Sequence, residues 1–253
     1  MGAARTGNRT RCLLTIGNPT RKIMTITLNA CSGNGMSASF RELLPQFERA
    51  HDCKVAFLYE PAQILLREIQ AGKAFDFCVL GKSVMDQVVK EGYVKGDSVR
   101  VLTRNGIGVG VLKGAPKPDL SSVESFKRAL LNAKSVAYTT EGASGIYFAG
   151  LIEKLGIAEA IKAKAKTQPG GLVADLVVKG VAEIAVQQIP EILAVAGADY
   201  AGPIPDEIQS ISVNVGGITT TTQQPALAQA LLDYLRSPDA ARVFKARGLE
   251  PEG

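Results

Sequence analysis

The chain has 253 residues, 46% hydrophobic and 21% charged, enough for one large or two small folded domains and incompatible with a disordered chain. Its formal net charge is +5, but Arg5, Arg9, Arg11, Arg21 and Lys22 all fall in residues 1–23 without an acidic partner, and the remainder balances at 24 basic and 24 acidic residues. The basic charge is therefore local and outlines no nucleic-acid surface, while 6% aromatics and no tryptophan leave little for stacking on bases or sugars.

Residues 1–23 carry a basic start and one short apolar stretch, Cys12–Gly17, less than the ~7–15 residues a secretory signal requires. Synthesis from Met24 instead of Met1 would make 1–23 an unstructured extension, and that is the expectation. As the sequence stands the address is cytoplasmic; it is periplasmic if the start differs or a signal is missing.

From Ile23 onward, short apolar runs alternate with helical periods, the pattern of an α/β fold with largely parallel strands. The first strand is expected at Ile23–Leu28, followed by the glycine-rich turn Ser32-Gly-Asn-Gly35. Met36, Phe40, Leu43, Leu44, Phe47 and Ala50 then share one helical face. The strand Val55–Tyr59 leads to a helix through Ile64, Leu65 and Ile69 that stops at Gly72, and Phe75–Leu80 is a third strand. Val84, Met85, Val88 and Val89 line the next helix, up to Gly92.

A second set of units follows Arg100. Ile107–Leu112 is a strand, and Ser121 with Glu124 makes a capping box before a helix bearing Val123, Phe126, Leu130 and Leu131. Ser135–Thr139 is a strand, and Ser144 opens a helix with Ile146, Leu151, Ile152 and Leu155. A helix near 171–179, the strand Glu183–Gln187 and the run Ser210–Val215 come next. The chain closes on a helix with Leu227, Leu231, Leu232 and Leu235, and on another capped by Ser237 with Pro238 at its first position. Two lobes are expected, 24–103 with 213–253 and 104–212, each a mainly parallel sheet flanked by helices.

These residues resemble the molybdate-binding components of bacterial ABC importers. The opening strand, small-residue turn and helix, the stretch Leu66-Arg-Glu-Ile-Gln-Ala-Gly72 and the strand Phe75-Asp-Phe-Cys-Val-Leu80 follow the order of that family's first lobe. Ser144-Gly-Ile-Tyr147 with Glu153-Lys-Leu-Gly156 is similar to the second-lobe binding loop, and the tail from Ala228 to Pro251 matches the family's ending. The resemblance spans nearly all of 24–251. It implies a type 2 periplasmic-binding fold with two strand crossovers, a ligand in the cleft between the lobes, and delivery to a membrane permease.

Such proteins hold an anion on backbone N–H groups at helix starts and on hydroxyls, without a matched cation; a helix start offers unpaired donors and about half a positive charge. In Ser32-Gly-Asn-Gly-Met36, the alignment places Gly35 or Asn34 where the family keeps a binding serine, so Asn34 and the Gly35 and Met36 amides are candidate donors beside Ser32. The family's second serine corresponds to Ala62 or Gln63; its hydroxyl is missing, although the Gln63 amide still donates. In the second lobe the candidates are Ser144, read as an N-cap and a ligand contact, with Gly145, and Tyr147, which faces either cleft or core. Gln187 and Gln188 end a strand where such sheets bind ligands.

The function expected is a solute-binding protein closing over a small oxyanion (molybdate-, tungstate- or sulfate-like) or a small carboxylate. A monomer is expected, with a small anion and an ABC permease as partners, and with no nucleic acid or membrane insertion. A few proteins of this fold are catalysts, aconitate isomerase among them. The alternative is therefore an isomerase of a small polycarboxylate, with Glu60 or Glu141 as the base and Cys31 a weaker candidate. A ligand-sensing domain is a third class. No cofactor or metal is implied: Cys12, Cys31, Cys53 and Cys78 form no C-x-x-C pair, His51 is the one histidine, and the thiols read as reduced and mostly buried. No apolar run approaches ~18 residues, and no G-x-S-x-G, Walker or H-E-x-x-H motif is present.

Overall fold

A computed structural model describes residues 26–252 and Met1; the expected extension 1–23, with Cys12, and the strand start at Ile23 and Met24 lie outside the described residues. β1 (Ile26–Ser32) runs parallel to both β2 (Cys53–Tyr59) and β3 (Phe77–Gly81). Each of the three feeds a helix: α1 (Ser37–His51), reached through a 3-10 turn at Asn34–Met36, α2 (Ala62–Gln70) and α3 (Lys82–Lys90). The Gly72 and Gly92 stops behave as expected, with φ of +85° and +82° just beyond α2 and α3.

β4 (Arg100–Asn105) leaves this unit, and after Gly106 the chain continues as β5 (Ile107–Leu112) in a second sheet. There follow α4 (Val123–Asn132), β6 (Val136–Thr139), α5 (Ala143–Lys154), α6 (Ala158–Lys162), β7 (Ala165–Gln168) and α7 (Ala174–Val178). β8 (Ile184–Gln188) runs straight into α8 (Ile189–Leu193), and β9 (Ala198–Pro203) completes the block. β10 (Ser212–Ile218) returns to the first sheet, followed by α9 (Pro225–Leu235), α10 (Pro238–Ala246) and β11 (Glu250–Pro251).

The two sheets are ordered β11-β4-β10-β3-β1-β2 and β7-β6-β8-β5-β9, one per lobe. Each has a parallel heart, β2-β1-β3 or β7-β6-β8, extended by antiparallel strands. The antiparallel pairing enters through the strands on either side of the crossovers, β4 to β5 and β9 to β10. Gln209, between β9 and β10, ties the two connections together: its Oε1 accepts from the Ile107 N–H (2.8 Å) and its Nε2 donates to the Ile107 carbonyl (3.0 Å).

The first lobe's main core packs α1 against α9 and α10 through Phe40, Phe47, Leu231, Leu235 and Phe244, all at most 1% exposed. Burying a side chain of this size stabilises the fold by about 1.5–3 kcal/mol. Phe126, Phe148 and Ile152 centre the second lobe. Two expected details shift. The cap of α4 is Ser122, whose side chain accepts from Ser125 N–H, while Ser121 N–H is taken by Asp119. Ile146 is 55% exposed, because the buried face of α5 runs through Phe148, Leu151 and Ile152.

Ser237 caps α10 as expected, its Oγ accepting from Ala240 N–H with Pro238 in the first turn. Ser237→Ala is expected to lower stability by about 1 kcal/mol, the usual value of an N-cap, read as a lower denaturant midpoint at unchanged m-value.

Candidate functional site

In a parallel sheet every strand–helix turn emerges at the carboxyl edge, and here the carboxyl edges of both sheets face one another. Between them lies a cleft of about 140 Å³, small beside the several hundred Å³ that organic ligands ordinarily occupy. Its walls include Asn34 and Gly35 before α1, Ala62 at the start of α2, Gly81 before α3, and Ala143 and Ser144 at the start of α5. The residues that cap these helices, Met36, Pro61, Gly81 and Gly142, make no side-chain capping bond. Helix starts without side-chain caps from both lobes thus turn N–H groups and positive dipole ends toward a shared space, although ahead of α1 the Met36 and Ser37 N–H groups are taken by the Gly33 and Asn34 carbonyls.

The α5 start has a further donor. Thr139, the last residue of β6, lines the cleft at 3% exposure, and its Oγ1 is buried without a hydrogen-bond partner. A buried hydroxyl left unpaired costs free energy unless something in the cleft completes it. Its neighbours explain two glycines: a Cβ on Gly142 would stand 2.5 Å from Thr139 Oγ1, and one on Gly145 only 1.8 Å from the Thr139 carbonyl oxygen. Gly145 lets α5 lie against the strand end, and it does not itself line the cleft.

The floor is a polar network across the crossovers. Asn105 Nδ2 donates to Gln188 Oε1, and Gln188 Nε2 donates to Ser212 Oγ (2.8 Å). Asn214 Nδ2 in turn donates to Asn105 Oδ1 and Thr103 Oγ1, both at 3.0 Å. Gln188 belongs to the second lobe and its partners to β4 and β10, so this amide bridges the lobes. The walls also touch directly: a Cβ on Gly170 would stand 3.3 Å from Pro61 Cγ, and one on Gly35 would stand 3.7 Å from Pro190 Cγ.

Of the residues singled out from the sequence, Asn34, Gly35, Ser144, Gln187, Gln188 and Glu60 come together on the cleft wall. Ser144 is the second residue of α5 and not its cap; the capping position is Gly142. Gln187 is 1% exposed and its amide holds the 171–173 loop, accepting from Val173 N–H and donating to the Gly171 carbonyl. The others lie off the cleft. Ser32 is buried with its hydroxyl on the Gly33 carbonyl, and the Met36 N–H is already given to that same carbonyl (3.3 Å) while its thioether packs in the core. Gln63 and Glu141 are exposed, and Tyr147 donates its hydroxyl to the Ile208 carbonyl (2.8 Å) beside the second-lobe core. Cys31, Cys53 and Cys78 are free and buried; burial pushes the Cys31 thiol up to about 12, which removes it as a base near neutrality.

Sequence reasoning passed over Thr139, Asn105, Asn214 and Glu191. Glu191, two residues into α8, lines the cleft, and burial pushes its carboxyl up to about 7 against the opposing hydrogen bonds of the Gln187 side chain and the Gln188 N–H. The visible signal was Gln187-Gln-Ile-Pro-Glu191, a carboxylate in the first turn after a strand end. Among the described residues, no lysine, arginine or histidine lines the cleft, and no group of three or more His, Cys, Asp or Glu is arranged to hold a metal. A larger cavity of about 410 Å³ sits by Glu183 and Ile184 at the opposite end of β8, between α4 and the 115–119 segment, away from the converging helix starts.

Residues 28–250 match the family described as bacterial extracellular solute-binding proteins. An aconitate isomerase from Pseudomonas sp. is 34% identical over 231 residues, covering 89% of this chain and 88% of that protein. The periplasmic molybdate-binding protein of Azotobacter vinelandii superimposes with a TM-score of 0.75 at 16% identity, covering 89% of this chain and all of the other. The sulfate-binding protein SubI from Mycobacterium tuberculosis H37Rv superimposes with a TM-score of 0.71 at 16% identity, covering 89% and 87%. These superpositions show the two-lobed type 2 periplasmic-binding fold. Among the described residues, no helix is long and apolar enough to cross a membrane. With its matched length, its two lobes and its interlobe cleft, the chain belongs to the bacterial extracellular solute-binding proteins.

Proposed function

We propose that this solute-binding protein closes over a small anion, an oxyanion of the molybdate, tungstate or sulfate kind or a small carboxylate, and hands it to an ABC permease. The observation that carries this reading is the convergence of uncapped helix starts, with the unpaired Thr139 hydroxyl, on a cleft of about 140 Å³ whose lining, among the described residues, holds no cation. Fixed N–H dipoles replace the anion's water without a counter-charge to trap it, which suits capture followed by release. The closing units are the lobe built on the first sheet and the lobe built on the second, turning about the β4–β5 and β9–β10 connections, in a monomer working outside the cytoplasmic membrane. The molybdate- and sulfate-binding names of two structural neighbours agree with this class.

A second reading has a specific observation behind it. The relative named aconitate isomerase is 34% identical over most of both chains, and two carboxyls, Glu60 and Glu191, stand on the cleft walls. A small polycarboxylate held there would have a base within the same space to move a proton between carbons.

A thermal-shift screen of molybdate, tungstate, sulfate, phosphate and di- and tricarboxylates is expected to find at least one stabilising anion, by about 2.7 kcal/mol at a hundredfold excess over its dissociation constant. No shift with any of them would refute the anion reading. Asn34→Ala, Ser144→Ala and Gln188→Ala are each expected to weaken calorimetric binding of that anion by about 1–2 kcal/mol; unchanged affinity in all three would place the ligand elsewhere. Proton NMR in deuterated water is expected to show the best-binding tricarboxylate bound without turnover. Deuterium incorporation or isomerisation that disappears in Glu60→Gln or Glu191→Gln would make the isomerase reading the better one.

A further inference from the structure

Glu191 has no place in the anion cleft as an ordinary carboxylate. Pro190 and Glu191 begin α8 and press against the opposite lobe, where a Cβ on Gly35 would stand 3.9 Å from Glu191 Cγ. The carboxyl therefore sits at the interlobe seam beside the Asn34–Gly35 turn, one of the helix starts that face the cleft. Among the described residues it forms no salt bridge, and no basic side chain lines the space around it.

Its neighbours are nearly devoid of charge. α8 carries no other titratable residue, and β5, β8 and the Asn34–Met36 turn packed against it carry none, while the turn after α10, whose Gly248 lies against Ile189 and Leu193, brings Arg247, paired with Glu42 (2.8 Å). β9 contributes Asp199, which accepts from Gly114 N–H (2.9 Å), and Tyr200, whose ring lies over Gly108. Across the cleft stands Glu60, a second acid. An anion entering here would meet two negative groups in a partly buried space, where like charges repel more strongly than in bulk solvent. A protonated Glu191 removes one of those charges and turns an acceptor into a donor, matching the donors already aimed at the site.

We propose that Glu191 takes up a proton when an anion fills the cleft and donates it as a hydrogen bond to the ligand, so that anion capture and proton uptake are one event. The inference rests on the anion reading of the cleft and adds to it the protonation state of the complex. The free carboxyl, pushed up to about 7 by burial, is already poised for this, and an anion next to it raises its pKa further. The sign follows from linkage. Below about pH 6 the free protein already holds the proton, and affinity is flat. Above about pH 7 the free carboxyl has lost it and the complex must regain it, so affinity falls about tenfold per pH unit, until pH reaches the carboxyl's pKa in the complex. The protein thus loads best on the acidic side and lets go as pH rises.

The test is calorimetric titration of the full chain with sulfate, molybdate and tricarballylate between pH 5.5 and 8.5, each in two buffers of different ionisation enthalpy. The difference between buffers counts protons. For whichever probes bind, uptake is expected to rise from near zero at pH 5.5 toward one at pH 8, after the probe's own titration is subtracted. Glu191→Gln is expected to bind with an affinity that no longer changes with pH, close to that of the unaltered protein at pH 5.5. Binding without proton uptake, or uptake that survives in Glu191→Gln and vanishes in Glu60→Gln, would overturn the proposal while leaving the anion cleft standing. No binding by any probe at any pH would bring down the anion reading itself. Because the proton count is made on the unaltered protein, the proposal is testable even if Glu191→Gln folds poorly.

Discussion

An α-helix cannot satisfy its own first N–H groups, and in four helices of this chain that deficit is pointed at a single place. The starts of α1, α2, α3 and α5 follow the carboxyl ends of β1, β2, β3 and β6, and the two sheets present those ends to one another. Side-chain caps occur elsewhere, at Ser122 and Ser237, yet none is made at Met36, Pro61, Gly81 or Gly142. At those two helices, whose starts lie away from the cleft, a serine completes the helix start. Where it faces the cleft, no side chain takes the donors, and the Thr139 hydroxyl stays free.

The consequence is a cavity that combines backbone dipoles at helix starts with neutral amide and hydroxyl side chains and the carboxyls of Glu60 and Glu191. Backbone donors at rigid helix ends need little reorganisation to meet an anion, whereas a lysine would have to be desolvated and ordered. The same arrangement makes acids in the cleft conspicuous. With no cation to pair among the described residues, burial outweighs the hydrogen bonds of the Gln187 side chain and the Gln188 N–H, and the Glu191 carboxyl rises into the neutral range. Dipoles and carboxyl are therefore parts of one electrostatic design.

Shape depends on a second set of polar groups. Gln188 extends from the second lobe to Asn105 and Ser212, Asn214 completes the set, and Gln209 grips Ile107 between the two crossovers. These amides satisfy one another at the hinge side of the cleft. Other contacts between the lobes include Pro61 at Gly170, Pro190 at Gly35, and Ile189 and Leu193 at Gly248. The two proline contacts have little side-chain entropy to lose when the lobes come together.

Much of the architecture was legible because it is written in local periodicity. The faces of α1, α3 and α9, the stops at Gly72 and Gly92, and the Ser237–Pro238 start each depend on residues within a few positions of one another, and the structure follows them. The strands β4, β7 and β9 were passed over: Arg100–Asn105 and Ala165–Gln168 are short and polar, so their pairing comes from neighbouring strands and not from their own propensity. For the cleft, the sequence determined that glycine-rich and amide-bearing turns would follow strand ends, which was enough to name Asn34, Gly35, Ser144, Gln187 and Gln188. Only the tertiary structure decided which of those turns meet. Met36 spends its N–H on Gly33 and Tyr147 its hydroxyl on Ile208, whereas Thr139, Asn105, Asn214 and Glu191 arrive from four distant stretches to complete the walls. Their roles arise from juxtaposition across two sheets, and no spacing along the chain encodes it.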